Sequence, residues 1–282
     1  MYRTKTGGLI NRKKVLNFSF NGKNLKGFEG DTLSSALLGN GIHLVGRSFK
    51  YHRPRGIFTS GSEEPSALVQ LDEKKFTEPN IRATTVKLFD GLVANSQNHF
   101  GSLSWDFMRI NDYLSNFLSA GFYYKTFMWP KAFWEKVYEP IIRNAAGLGK
   151  LSKEPDPSIY DKGFLHCDLL VIGAGPSGLY SALIAARTGA KVIIVDEDFT
   201  LGGSLNGEKL EINGGLCTDW LGTILSELTS FKNVRLMPKT TLYGSFDHGI
   251  YGALEIRNYN SRDNLKKPRH ILWKIYSKFS VL

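Results

Sequence analysis

The first part of the chain alternates apolar and polar residues in a way that predicts a β-hairpin. Residues 15–20, with the sequence VLNFSF, alternate over a short run, as a half-buried strand does. The dipeptide Asn21-Gly22 follows directly and favours the tight turn of a hairpin. A second short run, Ala67 to Leu71, predicts a further strand.

A helix is predicted between these strands because apolar residues recur there at helical spacing. Its apolar face consists of Leu33, Ala36, Leu37 and Leu38. Either Asp31 or Thr32 can cap the start of this helix, and Asn40-Gly41 is a typical end. Short strands and turns around one helix indicate an α+β arrangement for residues 1–95.

The apolar pattern changes in the last part of the chain, where continuous apolar runs replace the alternation. Asp168 to Ile172 (DLLVI) is typical of a strand buried on both faces of a parallel sheet, and Lys191 to Val195 (KVIIV) predicts a second such strand. A helix that ends at Gly189 is predicted between them. Its apolar face consists of Leu179, Ala182, Leu183 and Ala186. The order strand, helix, strand predicts an α/β unit of the Rossmann type.

A glycine motif joins the first of these strands to the helix. Residues 173–178 have the sequence Gly-Ala-Gly-Pro-Ser-Gly, which is the G-x-G-x-x-G pattern of dinucleotide-binding folds. Gly173 allows the tight turn, Gly175 lets the backbone approach a pyrophosphate, and Gly178 lets the helix lie close to the strand. The N-terminus of the helix then directs free N–H groups and the positive end of its dipole at the phosphates.

An acidic run follows the second strand. Asp196 comes 18 residues after Gly178, close to the spacing expected for a carboxylate that binds the ribose hydroxyls. Glu197 and Asp198 follow, and three acids together repel a 2′-phosphate, which favours NAD or FAD over NADP. The next loop, Gly202-Gly203-Ser204, is either a flexible turn or a second backbone contact to the cofactor.

The segment 96–162, which connects these two regions, is rich in aromatic residues. They are Phe100, Trp105, Phe107, Tyr113, Phe117, Phe122, Tyr123, Tyr124, Phe127, Trp129, Phe133, Trp134 and Tyr138. One interpretation packs the rings against the flanking domains. The other makes them a docking surface for another subunit, because protein interfaces are enriched in aromatic residues. Glu154-Pro155-Asp156-Pro157 predicts a stiff, extended linker near the end of the segment.

The composition, with 42% hydrophobic and 22% charged residues, is typical of a globular protein. No apolar run approaches the roughly 18 to 20 residues of a membrane-spanning helix, and the basic residues 1–12 precede no apolar stretch, so we expect a cytoplasmic protein without membrane contact. The net charge of +10 is spread over every segment with no nucleic-acid-binding signature, so no nucleic-acid partner is expected. Cys167 and Cys217 allow no disulfide framework and are predicted to be buried.

Several longer stretches are unusual enough to carry a family resemblance. They are Gly27–Leu38 (GFEGDTLSSALL), Leu44–Gly56 (LVGRSFKYHRPRG), Gly61–Pro65 (GSEEP) and Ala120–Pro130 (AGFYYKTFMWP). Together with the glycine motif they resemble the α subunit of heterotetrameric sarcosine oxidase. The resemblance implies a [2Fe–2S] ferredoxin-like (β-grasp) domain over residues 1–95 and a connecting segment over residues 96–162. It also implies the first part of a Rossmann-type FAD/NAD(P)-binding domain over residues 163–282.

The resemblance further implies that this chain binds NAD, while the flavins belong with a partner. The residues implied to bind NAD are Gly173, Gly175, Ser177, Gly178, Asp196, Glu197, Gly203 and Ser204. In this family FAD lies in the β subunit and FMN between the α and β subunits, and small γ- and δ-type subunits complete the assembly. The enzyme oxidatively demethylates sarcosine to glycine with hydrogen peroxide, and the C-terminal part of the α subunit passes the one-carbon unit to tetrahydrofolate.

No iron–sulfur cluster is expected, although the ferredoxin-like fold implied by the resemblance has a loop of cluster-ligating cysteines. The first cysteine of the chain is Cys167, and such clusters need thiolate ligands, of which histidine replaces only some. In place of a cysteine loop, the segment Arg47–Gly56 carries cationic side chains. They are Arg47, Lys50, His52, Arg53 and Arg55. They either hold an anion, such as a cofactor phosphate or acidic residues of a partner, or form a solvated basic turn.

No catalytic or metal-binding residue is predicted in this chain, because its six histidines are scattered and are expected to be structural. Two alternatives stay open beside the sarcosine oxidase subunit: a subunit of a related amine or opine dehydrogenase, and a non-catalytic assembly scaffold. The resembling α subunits are longer, and residues 279–282 depart from the expected apolar strand. We therefore expect a truncated or frame-shifted gene product, or a fragment, whose dinucleotide-binding domain is incomplete.

Overall fold

The computed structural model describes residues 2–73, 76–118, 121, 129–146, 149, 151–156, 158–257 and 267–282. The chain divides into two units, Met1–Asp156 and Pro157–Leu282. The rings of Phe122, Tyr123, Tyr124 and Phe127, and most of the stretch Ala120–Pro130, lie outside the described residues. In the part of the chain that is described, no helix has the length and apolar character needed to cross a bilayer. The three-part division at residues 95 and 162 stays a prediction.

The first unit contains a mixed β-sheet with a short helix. Its described strands are β1 (Asn11–Phe20), β2 (Lys23–Glu29), β3 (Gly46–Arg47), β4 (Pro54–Arg55), β5 (Leu68–Glu73), β6 (Phe76–Arg82) and β7 (Leu92–Ser96). Its described α-helices are α1 (Leu33–Gly39), α2 (Ile110–Tyr113) and α3 (Glu139–Ala146). Among the described residues the main sheet has the order β2-β1-β7-β5-β6, and β3 pairs with β4 alone. The β1–β7 pair is parallel, whereas β1–β2 and β5–β6 are antiparallel.

The predicted hairpin and helix are both present in the first unit. Asn21 and Gly22 have φ angles of 50° and 76°, which a two-residue turn between antiparallel strands requires. Thr32, rather than Asp31, caps α1: its side chain accepts from the Ser35 N–H, and the Ser35 hydroxyl accepts from the Thr32 N–H. Asp31 instead forms a buried ion pair with Arg3. These local interactions position α1 so that its apolar face reaches the core.

The core of the first unit lies between α1 and the main sheet. Its buried apolar side chains include Leu33, Ala36, Leu37, Phe18, Phe20, Val69 and Leu92. Leu38, predicted to share the apolar face, is exposed instead. Each fully buried Leu or Phe side chain contributes about 1.5–3 kcal/mol relative to an exposed one.

The second unit is an α/β structure built on a mixed sheet. Its described strands are β8 (Tyr160–Ile172), β9 (Val192–Val195), β10 (Glu211–Ile212), β11 (Gly215–Leu216), β12 (Val234–Met237), β13 (Thr240–Phe246), β14 (Ile250–Ile256) and β15 (His270–Val281). Its described helices are α4 (Pro176–Arg187) and α5 (Cys217–Ser230). The described residues form a main sheet of order β12-β9-β8-β15-β14-β13. Strands β12, β9, β8 and β15 are mutually parallel, and β14 and β13 continue antiparallel.

The predicted strand–helix–strand arrangement of this unit is confirmed in β8, α4 and β9. All of β9 is buried, and α4 ends beside Gly189 as expected. The buried face of α4 consists of Leu179, Ala182, Leu183 and Ala186, as predicted. Strand β8 begins at Tyr160, earlier than the apolar run indicated, because its first residues pair with β15 while their side chains stay largely exposed.

The C-terminal residues require a correction. Residues 279–282 lack the expected apolar pattern, yet Phe279 and Val281 belong to β15 and pair with Leu169 and Val171 of β8. Phe279 is 71% exposed. The strand forms because the parallel hydrogen-bond ladder uses backbone groups, which do not depend on an apolar side chain.

Candidate dinucleotide site

The glycine turn lies at the carboxyl end of β8, where it leads into α4. Gly173 has a φ angle of +96°, which allows the tight turn, and its N–H donates to the Val195 carbonyl at 2.8 Å. A Cβ atom on Gly178 would lie 2.1 Å from the Gly173 carbonyl oxygen, whereas one on Gly175 would meet nothing within 4 Å. Gly178 therefore lets α4 contact the turn, and the backbone of Gly175 is open to an approaching group.

The N-terminus of α4 has the features of an anion-binding site. Gly175 is the N-cap residue, Pro176 follows at the start of the helix, and no side chain caps the first turn. The N–H groups of Ser177 and Gly178 lie in that first turn and have no acceptor within the helix. They point, with the positive end of the helix dipole, to the open side of Gly175.

Asp196 connects the end of β9 to the glycine turn. Its Oδ2 atom accepts a hydrogen bond from the Ala174 N–H at 2.6 Å, and its Oδ1 atom accepts one from the Asp198 N–H at 2.8 Å. An ionised carboxylate has about four lone-pair sites, so both oxygens keep capacity for a ligand hydroxyl. The carboxylate is thus held in place beside the turn and is still able to bind a ribose.

The acidic run after β9 concentrates negative charge at this edge. Glu197 and Asp198 are exposed, and Asp196 is half-buried. Local desolvation, followed by the charges of Asp196 and Glu197, raises the pKa of the Asp198 carboxyl above its ordinary value. A further anion at the same place, such as a 2′-phosphate, would be repelled for the same reason.

The loop Gly202-Gly203-Ser204 folds back onto the glycine turn. The Gly202 N–H donates to the Ala174 carbonyl at 2.9 Å, and a Cβ atom on Gly203 would lie 3.0 Å from Cα of Gly175. Gly203 and Ser204 begin a short 3-10 helix, Gly203–Asn206, and both are exposed. The structure therefore brings all the predicted site residues to one edge of the sheet. Their binding role stays a prediction.

Two family models match parts of the chain. Residues 13–99 match a model described as a 2Fe-2S iron-sulfur cluster binding domain. Residues 168–232, which include the glycine turn and the acidic run, match a model described as FAD dependent oxidoreductase. The first match supports the expected ferredoxin-like region, and the second supports the expected dinucleotide-binding region.

Curated relatives match the chain over nearly its full length. The sarcosine oxidase subunit alpha of Rhizobium meliloti is 51% identical over 282 residues, which are 100% of this chain and 29% of that protein. The corresponding subunit of Corynebacterium sp. strain U-96 is 31% identical, over 98% of this chain and 24% of that protein. The chain is homologous to part of sarcosine oxidase subunit alpha. Because it spans less than a third of these relatives, the activity of the whole protein belongs among the proposals below.

A solved structure shares the fold of this chain. L-proline dehydrogenase from P. horikoshii aligns with a TM-score of 0.59 and 21% identity, over 99% of this chain and 41% of that one. The similarity at this identity concerns the fold alone.

The basic segment Arg47–Gly56 has two buried cationic or titratable side chains, Arg47 and His52. Arg47 is buried, and its guanidinium donates to the carbonyls of Leu103, Ser104 and His52. The buried His52 ring pairs with Asp106, whose Oδ2 atom lies 2.6 Å from Nδ1. The alternative of a solvated turn is therefore wrong for Arg47 and His52, which hold the next segment of the chain in place.

The outer part of the same segment is more accessible. Arg53 pairs with Asp112 at 2.6 Å and lies over the Tyr51 ring, and Arg55 is exposed. An exposed pair of this kind contributes about 0.2–1 kcal/mol. Nothing in these contacts requires a cofactor phosphate, so binding of an external anion here stays a prediction.

Many of the described rings of the aromatic segment, residues 96–162, are exposed. Its exposed rings include Phe100, Trp105, Phe107, Tyr113, Phe117, Trp129, Phe133 and Trp134. The Phe100 ring lies 6.1 Å from the His52 ring of the same unit, and packing of the segment against the flanking domains stays a prediction. The spacing of aromatic residues in the sequence cannot distinguish a ring buried in the protein's own core from an exposed ring on an interaction surface.

The two cysteines are buried, as predicted. Burial raises the pKa of the Cys167 thiol above its ordinary value, which keeps it protonated and unreactive. In the described part of the chain, no group of three or more His, Cys, Asp or Glu side chains is arranged to hold a metal ion.

Replacing Asp196 by asparagine is expected to weaken dinucleotide binding about tenfold, because an amide nitrogen cannot accept a backbone N–H and hydrogen bonds to a charged group contribute about 1.5–3 kcal/mol. Isothermal titration calorimetry on the full chain measures the change. Asp198→Asn is the matched control, since Asp198 is exposed and outside the predicted set. Equal losses in both variants would contradict the assigned role of Asp196.

Proposed function

We propose that this chain is the dinucleotide-holding part of a sarcosine oxidase α-type subunit. The observation that carries the proposal is that three features meet at the carboxyl ends of the parallel strands β8 and β9. They are the glycine turn, the N-terminus of α4 without a side-chain cap, and the fixed Asp196 carboxylate. Dinucleotide cofactors bind at this position, outside the carboxyl ends of the strands. When bound, such a cofactor supplies hydride or electron transfer.

The residues divide into a phosphate-binding and a ribose-binding group. The N–H groups of Ser177 and Gly178 bind the pyrophosphate, which approaches over Gly175. Asp196, with Glu197 beside it, binds the ribose hydroxyls. Gly203 and Ser204 add a backbone contact from the loop that packs on Gly175. None of these residues is assigned a proton transfer, so the chain binds and orients the cofactor.

We propose NAD as the dinucleotide, with FAD as the competing ligand. The family resemblance favours NAD, the description of the matched model favours FAD, and the acidic run disfavours NADP. The full chain is titrated with NAD, FAD and NADP by calorimetry, and NAD is expected to bind at least about tenfold more tightly than NADP. Tight FAD binding without NAD binding would overturn the choice of NAD. Equal binding of NADP would overturn the role of the acids.

The finer features of the whole enzyme are proposals that rest on the family resemblance. We propose a cytoplasmic assembly with a flavoprotein β subunit and small γ- and δ-type subunits. FAD lies in the β subunit, FMN lies between the α and β subunits, and tetrahydrofolate binds in the C-terminal part of longer α subunits. The reaction is oxidative demethylation of sarcosine to glycine, with hydrogen peroxide and a one-carbon unit as products. The 51% identity to a sarcosine oxidase subunit alpha supports this assignment.

Co-purification separates this assignment from its two alternatives. A flavin-bearing β partner and sarcosine-dependent peroxide production support the sarcosine oxidase subunit. Turnover of another methylated amine, with no activity on sarcosine, supports a related amine dehydrogenase. Partner binding without turnover of any methylated amine supports an assembly scaffold, for which the exposed aromatic segment is a suitable surface.

A further inference from the structure

The residues of the first unit do not fit an iron–sulfur cluster, although a cluster-binding family model matches them. The match covers residues 13–99, where the sequence contains no cysteine. Plant-type [2Fe–2S] proteins hold their cluster with the spacing C-x4-C-x2-C and a fourth, more distant cysteine. Other residues must therefore stand at the four ligand positions, and another group must fill the place of the cluster.

The same spacing occurs in the loop between β4 and β5. Thr59, Glu64 and Ala67 are separated by four and by two residues, as the first three cluster cysteines are. Thr59 is half-buried, and Glu64 and Ala67 are fully buried. From the sequence, the basic segment Arg47–Gly56 is predicted to stand where a cysteine loop is expected. The loop with the cysteine spacing comes after that segment in the chain.

Glu64 is the unusual residue of this loop. Its Oε2 atom accepts the N–H groups of Phe58 and Thr59, both at 2.7 Å. Its Oε1 atom accepts those of Ser66 at 2.6 Å and Ala67 at 3.0 Å. A buried carboxylate with no cation among these partners is stabilised by the four converging backbone dipoles. The loop is thus wrapped around an anion.

Thr84 is the candidate for the fourth ligand position, and it contacts the same loop. Thr84 is buried, and its hydroxyl donates to the Gly61 carbonyl at 2.5 Å. Arg82 donates through Nε to the Glu64 carbonyl at 3.1 Å, and the Ala83 N–H donates to the Ala67 carbonyl at 2.9 Å. The segment 82–84, at the end of β6 and in the turn that follows, is therefore hydrogen-bonded to this loop at Gly61, Glu64 and Ala67.

We infer that the Glu64 carboxylate occupies the place of a [2Fe–2S] cluster, and that Thr59, Glu64, Ala67 and Thr84 stand at the four ligand positions. In iron–sulfur proteins, the surrounding protein donates hydrogen bonds to the sulfur atoms, and these bonds help to set the reduction potential of the cluster. Here the carboxylate accepts the N–H groups of the loop and keeps it folded without metal. The first unit is consequently a cluster-binding fold that an internal anion holds together, and no electron transfer is assigned to it.

Rebuilding the site tests the inference directly. The full chain carrying Thr59→Cys, Glu64→Cys, Ala67→Cys and Thr84→Cys is reconstituted anaerobically with ferrous iron and sulfide. It is expected to take up iron and sulfide in the 2:2 ratio of a [2Fe–2S] cluster and to give the electron paramagnetic resonance signal of its reduced form. The matched control shifts the same spacing by one residue, with Ser60→Cys, Pro65→Cys, Leu68→Cys and Thr84→Cys. A folded test variant that binds no more iron than this control overturns the inference.

Hydrogen exchange on a second variant decides the matter if the four-cysteine chain does not fold. In Glu64→Gln the amide nitrogen cannot accept, so the amide protons of at least one pair, Phe58 and Thr59 or Ser66 and Ala67, are expected to exchange at least about tenfold faster than in the unmodified chain. Exchange in the distant β1–β2 hairpin is expected to stay unchanged. Unaltered exchange at all four loop amides would overturn the inference, because the carboxylate would then not hold the loop.

Discussion

Replacing Gly178 by alanine is expected to abolish dinucleotide binding and to lower the free energy of unfolding of the second unit by about 1–3 kcal/mol. The added Cβ atom would lie 2.1 Å from the Gly173 carbonyl oxygen and 3.2 Å from a Val171 methyl group. Backbone and a buried side chain cannot both move aside, so α4 must separate from the turn. Denaturant unfolding and calorimetric titration with NAD measure the two effects.

Two other glycines serve as controls for this variant. Gly222 lies within α5, where an added Cβ meets nothing within 4 Å, so Gly222→Ala is expected to stabilise the unit by about 0.5–1 kcal/mol. Gly175→Ala also meets nothing within the chain, and it is expected to weaken NAD binding while leaving unfolding unchanged. Wild-type affinity in Gly175→Ala would contradict the proposal that phosphate approaches the backbone there.

Replacing Glu64 by alanine is expected to lower the free energy of unfolding of the first unit by about 3–5 kcal/mol. Four backbone N–H groups lose their common acceptor, and each buried donor left without a partner costs about 1–3 kcal/mol, part of which water entering the space restores. The neighbouring Glu63 is exposed and provides the control, for which a change within about 0.5 kcal/mol is expected. Similar losses in the two variants would contradict the buried role of Glu64.

Acidity should affect the same residue in a defined direction. Burial alone would raise the pKa of the Glu64 carboxyl, but the hydrogen bonds from Thr59, Ser66, Phe58 and Ala67 together outweigh it, and the pKa lies below its ordinary value of 4.5. A carboxyl whose pKa is lower in the folded than in the unfolded state stabilises the fold at higher pH. That stabilisation is complete above about pH 5 and is lost as the pH falls through the folded-state pKa. Glu64→Gln should lack this part of the acid sensitivity.

The sequence predicts the elements that depend on neighbouring residues. The Asn21-Gly22 turn, the buried face of α4 and the positive φ angle of Gly173 all follow from local preferences, and the structure has each of them. Asp196 is predictable for a similar reason, because the spacing of a strand–helix–strand unit brings its strand end back to the glycine turn. The loop Gly202–Ser204 is recognisable only as glycine-rich. That it contacts the backbone of Gly175 depends on a tertiary fold.

The sequence does not reveal the buried charges of the first unit. Arg47 and Glu64 belong to residue types that are mostly exposed, and His52 belongs to a type of intermediate burial, so the residue types do not predict that all three are buried. The partners of Arg47 and His52 are distant in the sequence, such as the carbonyl of Leu103 for Arg47 and the carboxylate of Asp106 for His52, whereas those of Glu64 are nearby backbone N–H groups. Backbone acceptors and donors have no sequence signature, because every residue carries them. The nest of N–H groups around Glu64 is visible only in three dimensions.

The measurement that tests the central claim most directly is a titration of the isotopically labelled full chain with NAD, followed by amide chemical shifts. The account predicts saturable shifts at the glycine turn, the start of α4, the Asp196–Glu197 segment and the Gly203–Ser204 loop, with the β1–β2 hairpin of the first unit unchanged. Shifts confined to other parts of the chain, or no shifts at concentrations well above those of cellular NAD, would contradict the assignment of this site.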